Sequence, residues 1–337
     1  MMDPTEIATV AELEAVIGKT PPAMHLKVID HLDAGALGWI ARSPLAFIGF
    51  GSGHGLQVTL AGGAAGFAGG DQHELRLPLA TLDDPRLAKP GAPVGALFLL
   101  PGVGETLRVN GRVTGVDREL AHVAVEECYG HCAKAMIRSQ FWSASPCAAP
   151  DDVAAFVERS RFLALATVGG QSWADLSPKG DPAGGMAEWE EGVIWFADRP
   201  GNRRADSFRN ILERPHVALA LLVPGSTKVA IVRGRASLTT DVSVRSRFTV
   251  QDKRPLLAVG VAIEALSLRD SGALIRAGLW PVTPEEGIEP TKLFIEHIRL
   301  NKTRGLSAAL ARASVSIPGM KGLMKKGLDK DYEDNLY

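Results

Sequence analysis

The chain has 337 residues, a formal net charge of −1, and 46% hydrophobic against 22% charged residues. This balance argues against nucleic acid as a partner, because domains that bind it are usually strongly basic. No apolar run approaches the roughly 18 residues of a membrane-spanning helix, and the acidic start of the chain is unlike a secretory signal. The three cysteines, Cys128, Cys132 and Cys147, are too few for a disulfide framework. We therefore expect a cytoplasmic protein of two domains.

The elements predicted in the first half recur in the second half. The matching pairs are RSPLAFIGFGSGHGLQV (42–58) with RSRFLALATVGGQSWAD (159–175), ALFLLPGVGETLRVNGRV (96–113) with ALALLVPGSTKVAIVRGRA (218–236), and AMIRSQFW (135–142) with ALIRAGLW (273–280). They follow one another in the same order, with modest insertions between them. This ordered recurrence indicates an internal duplication.

Each copy begins with a helical segment, HLDAGALGWIARSP in the first and PDDVAAFVERSRF in the second. Short apolar runs follow, and LFLLPG and LALLVPG have the form of buried strands that end in a Pro-Gly turn. Closely spaced strands joined by hairpin-type turns favour an antiparallel barrel or sandwich over a parallel βαβ sheet. The tail contains LSAALARASVSI and GMKGLMKKGLDKDY, which predict basic, amphipathic helices packed on the barrels or on a partner.

The segment RPGNRRADSFRN (199–210) predicts a helix that begins near Asn202 and ends before Pro215. Arg203 and Arg204 would then lie in its first turn, where the helix dipole is already positive and acidic residues are favoured. A bound anion would remove this conflict. Lys179, in LSPKGDP (176–182), is predicted at the end of a strand.

Together with the hydroxyl groups of Ser177 and Ser207, these cations form a candidate cradle for a phosphate dianion. The alternative is a solvated surface network in which Arg203 and Arg204 pair with Asp198 and Asp206. Spacing alone leaves both interpretations open.

The run FLALATVGG…WADLSPKGDP…VIWFADRPGNRRADSFRNILERPHVALALLVPG resembles the pyridoxamine 5'-phosphate oxidase-related, FMN-binding split-barrel family. The resemblance extends over about 30–280 and is strongest over 160–236. It implies that Asn202, Arg203 and Arg204 bind the FMN phosphate. It also implies that Lys179 and Ser177 approach the phosphate–ribityl or isoalloxazine side of the cofactor.

The resemblance implies a mainly β (α+β) fold of two tandem split barrels that form a pseudo-dimer. We expect a helical lead-in at 1–40, a degenerate barrel at 41–147, the phosphate-binding barrel at 148–284 and a helical tail at 285–337. The first copy reads VTLAGGA (58–64) where the second has LSPKGDP, and it has no counterpart of GNRRA. It keeps VEECYGHCAKAMIRSQFW (125–142), whose His131, Lys134 and Arg138 would face the flavin ring or a substrate. Since members of the family bind FMN between two barrels, one surviving groove is predicted here.

These observations predict an FMN-dependent oxidoreductase that acts on a small molecule, with NAD(P)H as a candidate electron donor. The alternatives are a flavin store, a haem-binding protein with His131 or His216 as axial ligand, and a deazaflavin-dependent reductase. No metal site is predicted, because CYGHC (128–132) lacks a fourth ligand and the usual C-x₂-C pairing. The substrate and any further homodimerisation are left open.

Overall fold

The computed structural model describes residues 5–52, 55–170, 173–201, 204–315, 317 and 319–337. Within them, the first half forms one seven-stranded antiparallel sheet and the second half forms another. The strands of the first sheet are β1 (Leu45–Ser52), β2 (Gly55–Gly62), β3 (Gly69–Gly70), β4 (Glu74–Pro78), β5 (Pro93–Leu99), β6 (Thr106–Val116) and β7 (Leu120–His131). Those of the second are β8 (Phe162–Val168), β9 (Ala174–Gly180), β10 (Glu188–Glu190), β11 (Val193–Ala197), β12 (His216–Leu222), β13 (Lys228–Thr239) and β14 (Ala258–Asp270).

The two sheets have the same topology. The strand order is β2-β1-β5-β6-β7-β4-β3 in the first sheet and β9-β8-β12-β13-β14-β11-β10 in the second. Adding seven to each strand number of the first order gives the second. This identity agrees with the duplication that the sequence indicates, and the fold is mainly β with helices toward both ends, as predicted.

The helices lie mostly before, between and after the two sheets. They are α1 (Val10–Ile17), α2 (Ala34–Ile40), α3 (Lys134–Arg138), α4 (Val153–Arg159), α5 (Asp206–Glu213), α6 (Val242–Arg247), α7 (Gly272–Ala277), α8 (Pro290–Leu300), α9 (Leu306–Val315) and α10 (Met320–Asp334). Short 3₁₀ helices span Pro22–His25, Leu79–Thr81 and Pro85–Leu87. The helices predicted in the tail are therefore present. None of the described helices is long and apolar enough to cross a membrane.

Each sheet encloses its own apolar core, and a third core joins the halves. Trp39 and Phe98 are buried in the first core, and Phe156 and Phe196 are buried in the second. In the third core the rings of Phe47 and Phe162, one from each half, lie 5.5 Å apart between centroids. Burial of such apolar surface at the junction holds the two halves against each other.

The predicted start of the helix after 199–201 is wrong. Helix α5 begins at Asp206, and Ala205 before it has a left-handed backbone with φ of 57°. A residue in that region cannot continue a helix toward its N-terminus. Arg204 therefore precedes the helix, while the acidic Asp206 occupies the first turn, where the helix dipole favours it.

Candidate functional site

A groove of about 390 Å³ lies between the two halves, and we call it the cationic groove. The second half lines it with β9, the start of α5 and the connection 198–201, and the first half with parts of β6, β7 and α3. Its described lining includes eight Lys or Arg residues and four Asp residues. The cations are Arg108, Lys134, Arg138, Lys179, Arg199, Arg204, Lys253 and Arg254, and the acids are Asp175, Asp181, Asp198 and Asp206. The groove thus has a surplus of positive charge.

Arg108 crosses from the first half into the second and is 1% exposed. Its guanidinium pairs with the carboxylate of Asp175 and donates to the backbone oxygen of Leu176. It also donates to the hydroxyl of Tyr129 at 2.9 Å and to Ser177 Oγ at 3.2 Å. Sequence reasoning missed Arg108 and Asp175. The available signal was a charged residue on the face of β6 opposite to Leu107 and Val109, which belong to the first core.

The hydroxyls of Ser177 and Ser207 meet at the floor of the groove. Their oxygens are 2.6 Å apart, and Ser207 Oγ donates to Asp175 Oδ2 at 3.2 Å. The structure therefore brings these two predicted residues together across β9 and α5. Both hydroxyls already belong to a network that runs through Asp175 to Arg108.

Lys179 lies at the end of β9, as predicted, and lines the groove. Its Nζ is 3.6 Å from Asp198 Oδ1 and 4.6 Å from the centroid of the Phe208 ring. Burial lowers the pKa of Lys179 and raises the pKa of Asp198. Lys179 is therefore a largely buried cation of the groove with a carboxylate beside it.

Arg204 is 8% exposed and, like Lys179, lines the cationic groove. Its Nε donates to Asp206 Oδ2 at 2.5 Å, and its guanidinium carbon lies 4.4 Å from the centroid of the Tyr129 ring. The alternative pairing of Arg204 with Asp206 is thus present, and Asp198 lies beside Lys179. The other two predicted phosphate ligands, Asn202 and Arg203, lie outside the described residues.

His131 lines the groove from the first half, at the end of β7. Its Nε2 is buried and has no hydrogen-bond partner among the described residues. Burial, followed by the charges of Arg108 and Lys27, holds the pKa of His131 well below its ordinary value. The imidazole is therefore neutral at pH 7.

Lys134 and Arg138, the other two catalytic candidates, lie at the groove but are engaged by other parts of the chain. Lys134 Nζ is 2.8 Å from Asp331 Oδ2 and donates to the backbone oxygen of Asn335 at 2.9 Å. Arg138 donates to the backbone oxygens of Gly180 at 2.9 Å and Leu336 at 2.7 Å. The end of the tail thus packs against this side of the groove.

Arg199 and Asp181 form a buried ion pair in the groove wall that sequence reasoning also missed. Arg199 Nε donates to Asp181 Oδ2 at 2.6 Å, and the guanidinium carbon lies 5.5 Å from the centroid of the Tyr337 ring. Arg199 Nη2 is buried without a hydrogen-bond partner in the described part of the chain. A buried donor of this kind is costly unless a ligand or water accepts from it.

The remaining candidates lie elsewhere. His216 lines a separate surface cavity near the start of β12, with Arg214 and Phe50. Cys128, Cys132 and Cys147 are free thiols. Across the described ranges, no group of three or more His, Cys, Asp or Glu residues is arranged to hold a metal ion.

Residues 149–270 match the family model described as Pyridoxamine 5'-phosphate oxidase. This part of the chain is therefore similar to the pyridoxamine 5'-phosphate oxidase family, and the first half has the same sheet topology as the second. No sequence among the curated proteins matches the chain.

Several solved structures are similar to one part of the chain. An F420 reductase is 20% identical over 35% of this chain and 98% of its own length, with a TM-score of 0.28. General Stress Protein 26 from Bacillus anthracis is 16% identical over 34% of this chain and 89% of its own length, with a TM-score of 0.27. HutZ, the haem storage protein from Vibrio cholerae, is 14% identical over 35% and 90%, with a TM-score of 0.24. These scores are low, and no functional conclusion follows from them.

Proposed function

We propose that the chain is an FMN-binding oxidoreductase with one flavin site, located in the cationic groove between its two halves. The observation that carries this proposal is the surplus of Lys and Arg residues in a groove to which both halves contribute. A phosphorylated cofactor supplies the negative charge that such a groove lacks. The match of residues 149–270 to the pyridoxamine 5'-phosphate oxidase family supports a flavin as that cofactor.

The residues present fit a flavin phosphate. Buried polar atoms without described partners, Arg199 Nη2 and His131 Nε2, belong to residues that line the groove. Its volume of about 390 Å³ lies in the range of small-molecule sites. Arg203, Arg204 and Asn202 would hold the phosphate, while Lys179, Ser177 and Ser207 would support the adjoining part of the cofactor.

When bound, FMN would supply hydride or electron transfer at the isoalloxazine N5. The protein then needs to position the cofactor and the substrate and need not itself react. His131 is neutral and can donate or accept one hydrogen bond with the flavin ring or with a substrate. Lys134 and Arg138 lie beside it, but their bonds to the tail and to Gly180 give them a positioning role. A small-molecule substrate, NAD(P)H as donor and a cytoplasmic location stay predictions.

A haem-binding protein is the second candidate, and one observation favours it. The neutral form of imidazole binds haem iron; burial favours that form of His131, and its Nε2 has no hydrogen-bond partner among the described residues. His216 does not share this groove. A flavin store would bind FMN in the same way but would not be reduced by NAD(P)H or turn over an acceptor, whereas a deazaflavin-dependent reductase would differ in the ligand.

The decisive experiment is an absorption spectrum of the purified protein, with mass analysis of the ligand released by denaturation. We expect flavin absorbance and a released mass equal to FMN, in a ratio of one per chain. An intense haem band would favour the second candidate, and a released deazaflavin would favour the reductase. Colourless protein that takes up no FMN on incubation would contradict the proposal.

The anchor is tested with the double substitution of Arg203→Ala and Arg204→Ala. We expect a loss of FMN affinity of about a hundredfold or more, since charge-assisted bonds each contribute about 1.5–3 kcal/mol. Arg269→Ala, in the opposite part of the molecule, is the matched control and should retain FMN. Unchanged flavin occupancy in the double variant, with normal folding by circular dichroism, would show that the phosphate is held elsewhere.

A further inference from the structure

A second cavity, of about 590 Å³, adjoins the cationic groove, and we call it the tail cavity. Six residues line both spaces: His131, Cys132, Lys134, Pro200, Gly201 and Tyr337. Most of the rest of its wall comes from α2, α8, α10 and the segment before α2, with apolar groups such as Met24, Leu293, Phe294 and Leu328. A molecule in the tail cavity would therefore extend to the imidazole of His131.

Lys27 is the unusual residue of this wall, because it is 3% exposed. Its Nζ donates to the backbone oxygen of Gly130 at 2.8 Å and lies 5.7 and 6.0 Å from the ring centroids of Tyr129 and Phe294. Among the described residues, no carboxylate oxygen lies within 4.0 Å of Lys27 Nζ, which is the limit for an ion pair. Burying a cation without a counter-ion is costly, so this site favours an incoming anion.

Trp39 provides a second, independent sign of a ligand. Its side chain is fully buried and lines the tail cavity, yet its Nε1 has no hydrogen-bond partner in the described part of the chain. An indole N–H is a donor only, and a buried one normally has a partner. It can donate to an oxygen of a molecule in the cavity.

The acidic groups of the wall are already engaged. Glu105 accepts from the hydroxyl of Tyr332 at 3.1 Å, and burial raises its pKa. Asp331 pairs with Lys134 at 2.8 Å. These carboxyl groups therefore leave Lys27 as the cation without a counter-charge, in a wall that is otherwise largely apolar.

We propose that the tail cavity binds an apolar molecule that bears a carboxylate, with the carboxylate at Lys27 and Trp39 and the opposite end directed to His131. This proposal names the substrate class of the proposed flavin site. The role of the apolar carboxylate as a substrate rests on that proposed function. The binding of this molecule does not depend on the proposed function, because none of the residues that recognise the carboxylate is a proposed FMN ligand.

The test is isothermal titration of the protein as purified with 2-naphthoate and with its neutral analogue 2-naphthamide at pH 7. We expect 2-naphthoate to bind about tenfold more tightly, the effect of one charge-assisted hydrogen bond. Lys27→Met should reduce this preference to less than about threefold. Lys292→Met, a change to an exposed lysine of α8, is the matched control and should leave the preference intact.

Trp39→Phe removes the N–H while it keeps an apolar ring, and should weaken 2-naphthoate binding about threefold to fivefold. It also serves as the test if Lys27→Met does not fold. Equal affinities for the two probes, binding of neither probe, or an unchanged preference in a folded Lys27→Met protein would overturn the proposal.

Flavin content is measured on the same samples, so the two proposals fail separately. A protein that prefers 2-naphthoate but takes up no FMN would overturn the flavin site and leave the carboxylate site intact. A protein that holds FMN but does not discriminate between the probes would overturn only the carboxylate site.

Discussion

The cationic groove has a counterpart at the equivalent place on the other side of the junction, and the two differ in their side chains. This opposite groove, of about 440 Å³, is lined by parts of β2, β13 and β14. Strand register identifies the equivalent positions. Arg108 of β6 pairs with Leu97, and its counterpart Ile231 of β13 pairs with Ala220. The buried cation of one groove is thus an apolar residue in the other.

The same comparison holds along β9 and β2. Ser177 faces Leu165 of β8, and its counterpart Thr59 faces Ile48 of β1. In this register Lys179 corresponds to Ala61 and Asp175 to Gln57. The opposite groove therefore lacks the lysine and the carboxylate that organise the cationic groove.

Other features are common to both sides of the junction, and these are structural. Arg138 donates to the backbone oxygen of Gly180, and Arg276 donates in the same way to Gly62, both at 2.9 Å. A Cβ atom at either glycine would collide with a backbone carbonyl at the facing helix, that of Ala135 or Ala273. A contact that occurs in both grooves holds the halves together, whereas one that occurs in a single groove points to a ligand.

The largest effect is expected when Arg108 is replaced by isoleucine, the residue at the equivalent position of the opposite groove. Arg108→Ile leaves the buried Asp175 without its cation, which should cost about 3–5 kcal/mol of unfolding free energy. Adding Asp175→Gln, the counterpart residue, should recover much of this loss. Urea denaturation of the two single variants and the double variant measures the coupling. If the double variant loses the sum of the single losses, the pair is not energetically coupled.

A smaller effect is expected where Lys179 and Ala61 differ. Lys179→Ala removes a cation from the groove wall and should weaken FMN binding about tenfold, as for the loss of one charge-assisted contact. Because Ala61 is fully buried in the first core, the matched control is Arg86→Ala in the opposite groove, which should leave FMN binding unchanged. Titration of the flavin-free variants with FMN measures both. An equal loss of FMN affinity in Arg86→Ala would show that Lys179 has no specific role in binding the phosphate.

The sequence predicts the duplicated architecture well because buried strands leave strong local patterns. LFLLPG and LALLVPG contain the C-terminal parts of β5 and β12, which are buried and equivalent in the two sheets. The phosphate segment was less predictable. A good N-cap residue at Asn202 suggested a helix start, but the left-handed backbone at Ala205 delays it to Asp206.

The parts of the site that escaped sequence reasoning join distant segments. Arg108 and Asp175 are 67 residues apart, and nothing local to either indicates the other. Lys134 meets Asp331 across a still longer separation, because α10 returns to α3 only after both sheets are complete. Lys27 belongs to the segment before β1, and its burial depends on α8 and β7. Such pairs become visible only when the fold brings the segments together.

The smallest effect is expected from the contact that the two grooves share. Arg138→Ala and Arg276→Ala each remove a hydrogen bond to the facing half, so each should lower the unfolding free energy by about 1–2 kcal/mol. If Arg138 only positions the groove, its variant should keep the turnover number of any flavin reaction within about threefold and lose stability to the same extent as Arg276→Ala. Thermal denaturation and single-turnover kinetics of the two variants measure this. A loss of turnover of about a hundredfold in Arg138→Ala alone, at equal stability, would make Arg138 a catalytic residue and would separate the two arginines in function.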